Sequence, residues 1–176
     1  MNLRILYHGL GMAGKTTNLE KLKEAYLNYV QDRIHQQTTE GRTVYLDILS
    51  LNIKTRWEDR EVRVEIFTTP GQERFRPLRK WLFGYVNSVV FVLDSGRSLE
   101  ENLSSYKDLE EVGLIGVPMV LQANKRDLEG ALSLDSIRSH FKNLKTIEAV
   151  AKDGIGVVET FREILREVLN AKAPIG

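Results

Sequence analysis

The sequence contains no cysteine, which excludes disulfides and thiolate metal sites and leaves no residue for prenylation or palmitoylation. A myristoyl anchor is not expected either, because Asn2 follows the first methionine. No apolar run approaches the length of a membrane span, and the N-terminus lacks the pattern of a signal peptide. Charge of one sign is also missing: the formal net charge is +1 over 176 residues, with no dense basic run, so nucleic acid is not an expected partner. Together these absences lead us to expect a cytoplasmic chain that reaches a membrane only through a partner. Its length suits one domain over residues 1–170 with a flexible tail at 171–176. We find no internal repeat, low-complexity segment or interdomain linker.

What the sequence does have is Gly9-Leu10-Gly11-Met12-Ala13-Gly14-Lys15-Thr16, which fills the spacing G-x-x-x-x-G-K-S/T of a phosphate-binding loop. Glycines at 9 and 14 let the backbone turn tightly and aim successive N–H groups at phosphate oxygens. Lys15 would reach the β- and γ-phosphates, and the Thr16 hydroxyl would ligate Mg²⁺. Context separates this from a chance glycine-rich turn: Asn2 to His8 reads as an apolar strand, and a helix is expected over about Lys15 to Tyr29, with Leu19, Leu22, Tyr26 and Val30 on one stripe.

Further along, Gln31 to Arg42 shows no periodicity and is expected to be a loop. Thr43 to Ile53 and Glu61 to Thr68 read as strands joined in an antiparallel hairpin, the second with Val62, Val64 and Ile66 inward. Thr69-Pro70-Gly71-Gln72 opens a second loop, which runs into a helix near Pro77 to Gly84. Ser88 to Leu93 and Val117 to Ala123 are continuous apolar runs, as in parallel strands covered on both faces. Helices are expected over about Leu99 to Val112, Ser133 to Phe141 and Val157 to Leu169, with a short strand over Thr146 to Ala151. The alternation implies a three-layer α/β sandwich with about six strands, mostly parallel with one antiparallel edge strand, and ligands at the carboxyl ends of the strands.

A second motif, Asn124-Lys125-Arg126-Asp127, falls at such a carboxyl end. A carboxylate accepts two hydrogen bonds at once, and guanine offers an N1–H beside a 2-amino group where adenine offers no such pair. Asp127 would select guanine, Asn124 would tie this loop to the phosphate loop, and the stem of Lys125 would cover the ring. Alone, the tetrapeptide is equally an ordinary polar turn; its order after the phosphate loop makes the pair specific.

With these residues in view, the chain resembles the Ras-like small GTPases over nearly its whole length, and most of all the bacterial gliding-motility GTPases of the MglA family. The likeness is carried by YHGLGMAGKTTNL from Tyr7 to Leu19, GRTVYLD from Gly41 to Asp47, TTPGQ from Thr68 to Gln72, NKRDL from Asn124 to Leu128 and EAVAKDGIGVVET from Glu148 to Thr160. It implies a P-loop GTPase fold and a GTP-binding switch that hydrolyses GTP to GDP and phosphate, with Mg²⁺ as cofactor. Gly11, Met12, Ala13 and Thr17 join the phosphate-loop residues already named as nucleotide contacts. Ala151 and Lys152 belong by the same resemblance to the loop over guanine, the Ala151 N–H aimed at the 6-oxygen; Lys152 is equally readable as a solvated lysine. Thr43 is implied as the second metal threonine that senses γ-phosphate, with Thr38 and Thr39 as competitors. Gly71 would offer its N–H to γ-phosphate and Gln72 would orient the attacking water. The resemblance makes Arg42 an arginine finger from the same chain; without it, Arg42 reads as an exposed loop arginine. One departure stands out: Thr68 lies where Ras-like GTPases carry a metal-site aspartate, and Asp47 on the neighbouring strand is the nearest substitute, provided the strand's alternation points it inward. His8, His35 and His140 show no ligand or triad spacing and read as structural or surface residues.

By the same resemblance, turnover is slow until an activating partner fixes the mobile loops. That partner would be a Roadblock-fold, MglB-like activator, and the role would concern cell polarity or surface motility, with recruitment to cell poles or membrane. A non-hydrolysing GTP-binding scaffold is the alternative that the Thr68 departure leaves open. A P-loop kinase is the other, disfavoured by the guanine-selecting tetrapeptide.

Overall fold

A computed structural model describes residues 2–37, 45–54, 61–68 and 86–172, with the side chains of 33–37, 45–46 and 172 excepted. Among the described residues seven strands form one sheet: β1 Asn2–His8, β2 Val30–Gln37, β3 Tyr45–Lys54, β4 Glu61–Thr68, β5 Ser88–Asp94, β6 Met119–Asn124 and β7 Lys145–Glu148. Their spatial order is β2-β3-β4-β1-β5-β6-β7. From β4 to β7 all neighbours are parallel, and β3 alone runs against both of its neighbours. The described helices are α1 Lys15–Ala25, α2 Leu99–Glu111, α3 Leu134–His140 and α4 Val157–Lys172.

The strands follow from their patterns. β4 alternates, with Val62, Val64 and Ile66 buried and Arg63 exposed, whereas every residue of β5 and β6 is buried because helices cover both faces. Period-two alternation sends Leu3, Ile5, Val90, Val92 and Val120 into one layer, where they meet Leu19 and Leu22 of α1 and Phe161, Ile164 and Val168 of α4. Leu6, Val89, Phe91 and Leu121 face the opposite layer, with Leu109 of α2 and Ile137 of α3. A capping box starts α2: Ser98 Oγ accepts from the Glu101 N–H at 3.2 Å, and Glu101 accepts from the Ser98 N–H at 2.9 Å.

The sandwich class is as expected, with four differences of detail. Residues expected to begin a loop at Gln31 instead form β2, paired with β3 from Val30↔Leu51 to Gln37↔Tyr45. The sequence Val-Gln-Asp-Arg-Ile-His-Gln-Gln hid it, because an edge strand has backbone bonds to satisfy on one side and little apolar surface to bury. The sheet therefore has seven strands rather than about six, and the reversed strand β3 lies inside the edge. α1 also stops at Ala25, and a 3₁₀ turn over Leu27–Tyr29 leads into β2. Near the other end, Ala151 begins a 3₁₀ turn instead of ending a strand, and α4 runs past Leu169 to Lys172. The expected helix near Pro77 to Gly84, the loop around Arg42 and residues 173–176 lie outside the described residues.

Candidate functional site

The two sequence motifs meet at the carboxyl ends of β1 and β6, separated in the sheet only by β5. The phosphate loop leaves β1 after His8 and enters α1 at Lys15. A Cβ on Gly9 would lie 2.2 Å from the Val92 carbonyl oxygen, so no side chain fits there. Gly14 has φ 104°, and a Cβ on it would lie 2.3 Å from Asn124 Nδ2. No acidic residue occupies the first turn of α1, so the positive end of its dipole is left for an anion. Lys15 is buried and its Nζ donates to the carbonyls of Gly9 at 2.9 Å and Leu10 at 2.6 Å.

Asn124 joins the two loops. Its Nδ2 donates to the Ala13 carbonyl at 2.8 Å, and its Oδ1 accepts from the Ala151 N–H at 2.9 Å. The tie to the phosphate loop is the one expected. The Ala151 N–H, expected to aim at a base oxygen, is instead engaged by Asn124. Lys125 Nζ donates to Asp94 Oδ2 at 2.6 Å, and Asp94 Oδ1 accepts from the Gly96 N–H at 3.0 Å. Asp127 is exposed and accepts a hydrogen bond from Lys152. That bond holds the Asp127 carboxyl below its ordinary range and raises the Lys152 ammonium. Lys152 thus has a structural partner, which the tetrapeptide alone did not reveal.

Among the described residues, the non-glycine residues with positive φ are Met12 at 64° and Lys125 at 63°, one in each motif. Left-handed backbone costs roughly 1–3 kcal/mol at such a residue and collects where a site fixes the chain. Met12 is also 91% exposed, so its side chain does not explain its conformation by packing.

On the other side of the phosphate loop, Thr16 Oγ1 donates to Asp47 Oδ2 at 2.8 Å, and Asp47 is buried. The alternation of β3 therefore does point Asp47 inward. Thr68 lies beside it and takes a long 3.4 Å bond from the Asp47 N–H. Among the described residues no group of three or more His, Cys, Asp or Glu gathers to hold a metal by itself. The oxygen donors present suit Mg²⁺, which keeps most of its waters and shares substrate phosphates with few protein ligands. A Thr16 hydroxyl that gives its proton to Asp47 keeps its lone pairs for such an ion.

Arg42, Thr43, Thr38, Thr39, Gly71 and Gln72 lie outside the described residues. Of the histidines, His8 is buried with Nε2 2.9 Å from the Ser105 carbonyl, a structural role, and His140 is exposed at the end of α3; the side chain of His35 is not among those described. No helix among the described residues is long and apolar enough to cross a membrane.

Comparison with known proteins agrees with this geometry. The ADP-ribosylation factor family model matches residues 1–169. The Mutual gliding-motility protein MglA of Myxococcus xanthus is 34% identical, the match covering 97% of this chain and 92% of that protein. ADP-ribosylation factor-like protein 3 of Chlamydomonas reinhardtii is 31% identical over 94% of this chain and 90% of its own length, and human ADP-ribosylation factor-related protein 1 is 32% identical over 79% and 67%. With the phosphate loop and the Asn-Lys-x-Asp loop joined through Asn124, the chain belongs to the ADP-ribosylation factor family of Ras-like small GTPases.

Proposed function

We propose that this chain works as one domain, a switch that binds GTP and GDP with Mg²⁺ and hydrolyses GTP slowly until a partner stimulates it. The observation that carries this reading is the pair of hydrogen bonds of Asn124, one donated to Ala13 and one accepted from Ala151, which brings phosphate loop and base loop into one site. In that site Gly9, Gly11, Met12, Ala13, Gly14, Thr16 and Thr17 cradle the phosphates through backbone N–H groups. Lys15 exchanges its bonds to the Gly9 and Leu10 carbonyls for the β- and γ-phosphates. Asp127 selects guanine, Lys125 covers its face, and Ala151 and Lys152 close the base loop.

Mg²⁺ would supply charge neutralisation at the phosphates when bound. Thr16 and Thr43 would hold it, and Asp47 fixes the Thr16 hydroxyl, doing from β3 what an aspartate at position 68 does in other Ras-like GTPases. Gln72 orients the attacking water and Arg42 offsets charge on the transferring group, Gly71 holding the γ-phosphate beside them. The water adds to the γ-phosphorus as the bond to the bridging oxygen breaks, leaving GDP and phosphate.

The relative from Myxococcus xanthus is named for gliding motility. By that likeness we assign this chain a role in bacterial polarity or surface motility, a Roadblock-fold activating partner, and a cytoplasmic pool recruited to poles or membrane through partners. The test is single-turnover GTP hydrolysis by wild type, Arg42→Ala and Gln72→Ala, alone and with a Roadblock-type partner from the same genome. Strong acceleration of wild type, lost in Arg42→Ala while GTP still binds, supports a finger within the chain. Equal acceleration of Arg42→Ala overturns the finger, and no turnover under any condition leaves a GTP-binding scaffold.

A further inference from the structure

Beneath the Asn124 tie lies a second connection that the motifs do not include. Asn18, Gln122 and Thr160 are each fully buried, on α1, β6 and α4. Asn18 and Gln122 form a reciprocal amide pair: Asn18 Nδ2 donates to Gln122 Oε1 at 2.8 Å, and Gln122 Nε2 donates to Asn18 Oδ1 at 2.9 Å. At one end Asn18 Nδ2 also donates to the Gly14 carbonyl at 2.9 Å. At the other, Gln122 Nε2 donates to Thr160 Oγ1 at 3.0 Å, and Thr160 Oγ1 donates to the Gly156 carbonyl at 2.6 Å. Gly156 follows Ile155, whose bridge to Val150 closes the loop that carries Ala151 and Lys152.

The chain of bonds thus begins on the phosphate loop and ends at the base of the guanine loop. It crosses a layer otherwise filled by Leu19, Leu22, Val120 and Phe161. A polar group in such a layer costs free energy unless every bond is made, and here the amides of Asn18 and Gln122 are used on both their oxygen and their nitrogen. An apolar trio of similar size would pack there without that demand. Period-two alternation puts Gln122 on the same face of β6 as Asn124, so Asn124 meets Ala13 and Ala151 in the two loops while Gln122 meets Asn18 and Thr160 in the helices that adjoin them.

We propose that Asn18, Gln122 and Thr160 form a positioning relay that holds the Gly14 carbonyl, and with it the phosphate-loop N–H groups, in the conformation that fits a β-phosphate. The relay rests on the nucleotide-binding reading above and extends it to residues outside the motifs. Asn18 fixes the loop, Gln122 fixes Asn18, and Thr160 ties Gln122 to the base loop.

The test compares wild type with Gln122→Leu, Thr160→Val and the double variant Asn18→Leu/Gln122→Leu. Affinities for GDP, GMP and ADP are read by competition against a fluorescent GDP, together with thermal midpoints. Losing a buried hydrogen bond that shapes the loop should weaken GDP about tenfold in Gln122→Leu, with a smaller loss for GMP, which has no β-phosphate. Thr160→Val, one step further away, should show the same pattern more weakly. The double variant removes both amides, so its midpoint should return toward wild type while the GDP loss persists. Wild-type GDP affinity in the double variant, or equal losses for GDP and GMP, would overturn the relay and leave the amides as packing. Wild type that prefers ADP, or binds no nucleotide, would instead overturn the underlying reading and the relay with it.

Discussion

The two ends of the site are built differently. At the base end, polar groups hold each other in a frame: Asn124 bonds Ala13 and Ala151, Lys125 bonds Asp94, and Lys152 bonds Asp127. Most of these bonds remain compatible with a ligand, because an Asp127 oxygen and the stem of Lys125 stay on offer. At the phosphate end, the cation that would serve the ligand spends its capacity on the protein. Lys15 is folded onto the carbonyls of its own loop, whereas Thr16 gives only its proton to Asp47 and keeps its lone pairs. On the proposed reading, recognition of the base is thus preorganised, whereas binding of phosphate draws Lys15 from the carbonyls it holds. A switch needs this asymmetry: the constant part of the nucleotide meets a fixed frame, and the part removed by hydrolysis meets groups with an alternative.

The contrast can be broken from either side. The largest effect should come from Asp127→Ala, which leaves the guanine N1–H and 2-amino group without their acceptor; the preference for GDP over ADP should fall about a hundredfold or more, read by competition titration. An unchanged preference would move base selection elsewhere. Next comes Asp47→Ala. If Asp47 fixes the metal threonine, the Mg²⁺ concentration that half-maximally retains nucleotide should rise about tenfold, and an unchanged Mg²⁺ curve removes Asp47 from the site.

The smallest effect concerns pH. Asp127 is held low by the bond from Lys152, and only its ionised form offers both oxygens as acceptors, so on the proposed reading GDP affinity is retained until pH falls through that lowered value. In Lys152→Ala the Asp127 carboxyl moves back up, and the acid loss of affinity should begin at a higher pH than in wild type. Superimposable profiles would show that Lys152 does not act on Asp127.

Much of this was readable in the sequence, and the exceptions have physical causes. Gly9, Gly14 and Lys15 announce a phosphate loop because their spacing is imposed by backbone geometry, and Asn124 and Asp127 read as a base loop once they follow it, because a carboxylate accepts two hydrogen bonds at once. β5 and β6 were visible as unbroken apolar runs. β2 was not, since Gln31, Asp32 and their neighbours carry almost no apolar pattern and the strand is held by backbone pairing with β3. The inward aim of Asp47 was an open question of strand phase, decided by its bond to Thr16. Asn18 and Gln122 gave no signal at all, because one amide on a helix and one in an apolar run mean nothing until the fold brings them within 2.8 Å of each other.

That amide pair has a consequence for how β6 finds its place. All six residues of β6 are buried, so apolar pattern alone would tolerate a slip of one position along its neighbours. Such a slip would turn the amides of Gln122 and Asn124 toward the layer of Phe91, Leu109 and Ile137, where each would forfeit its partners at about 1–3 kcal/mol. The polar pair therefore acts as a register pin for a strand whose greasy faces cannot tell one alignment from the next.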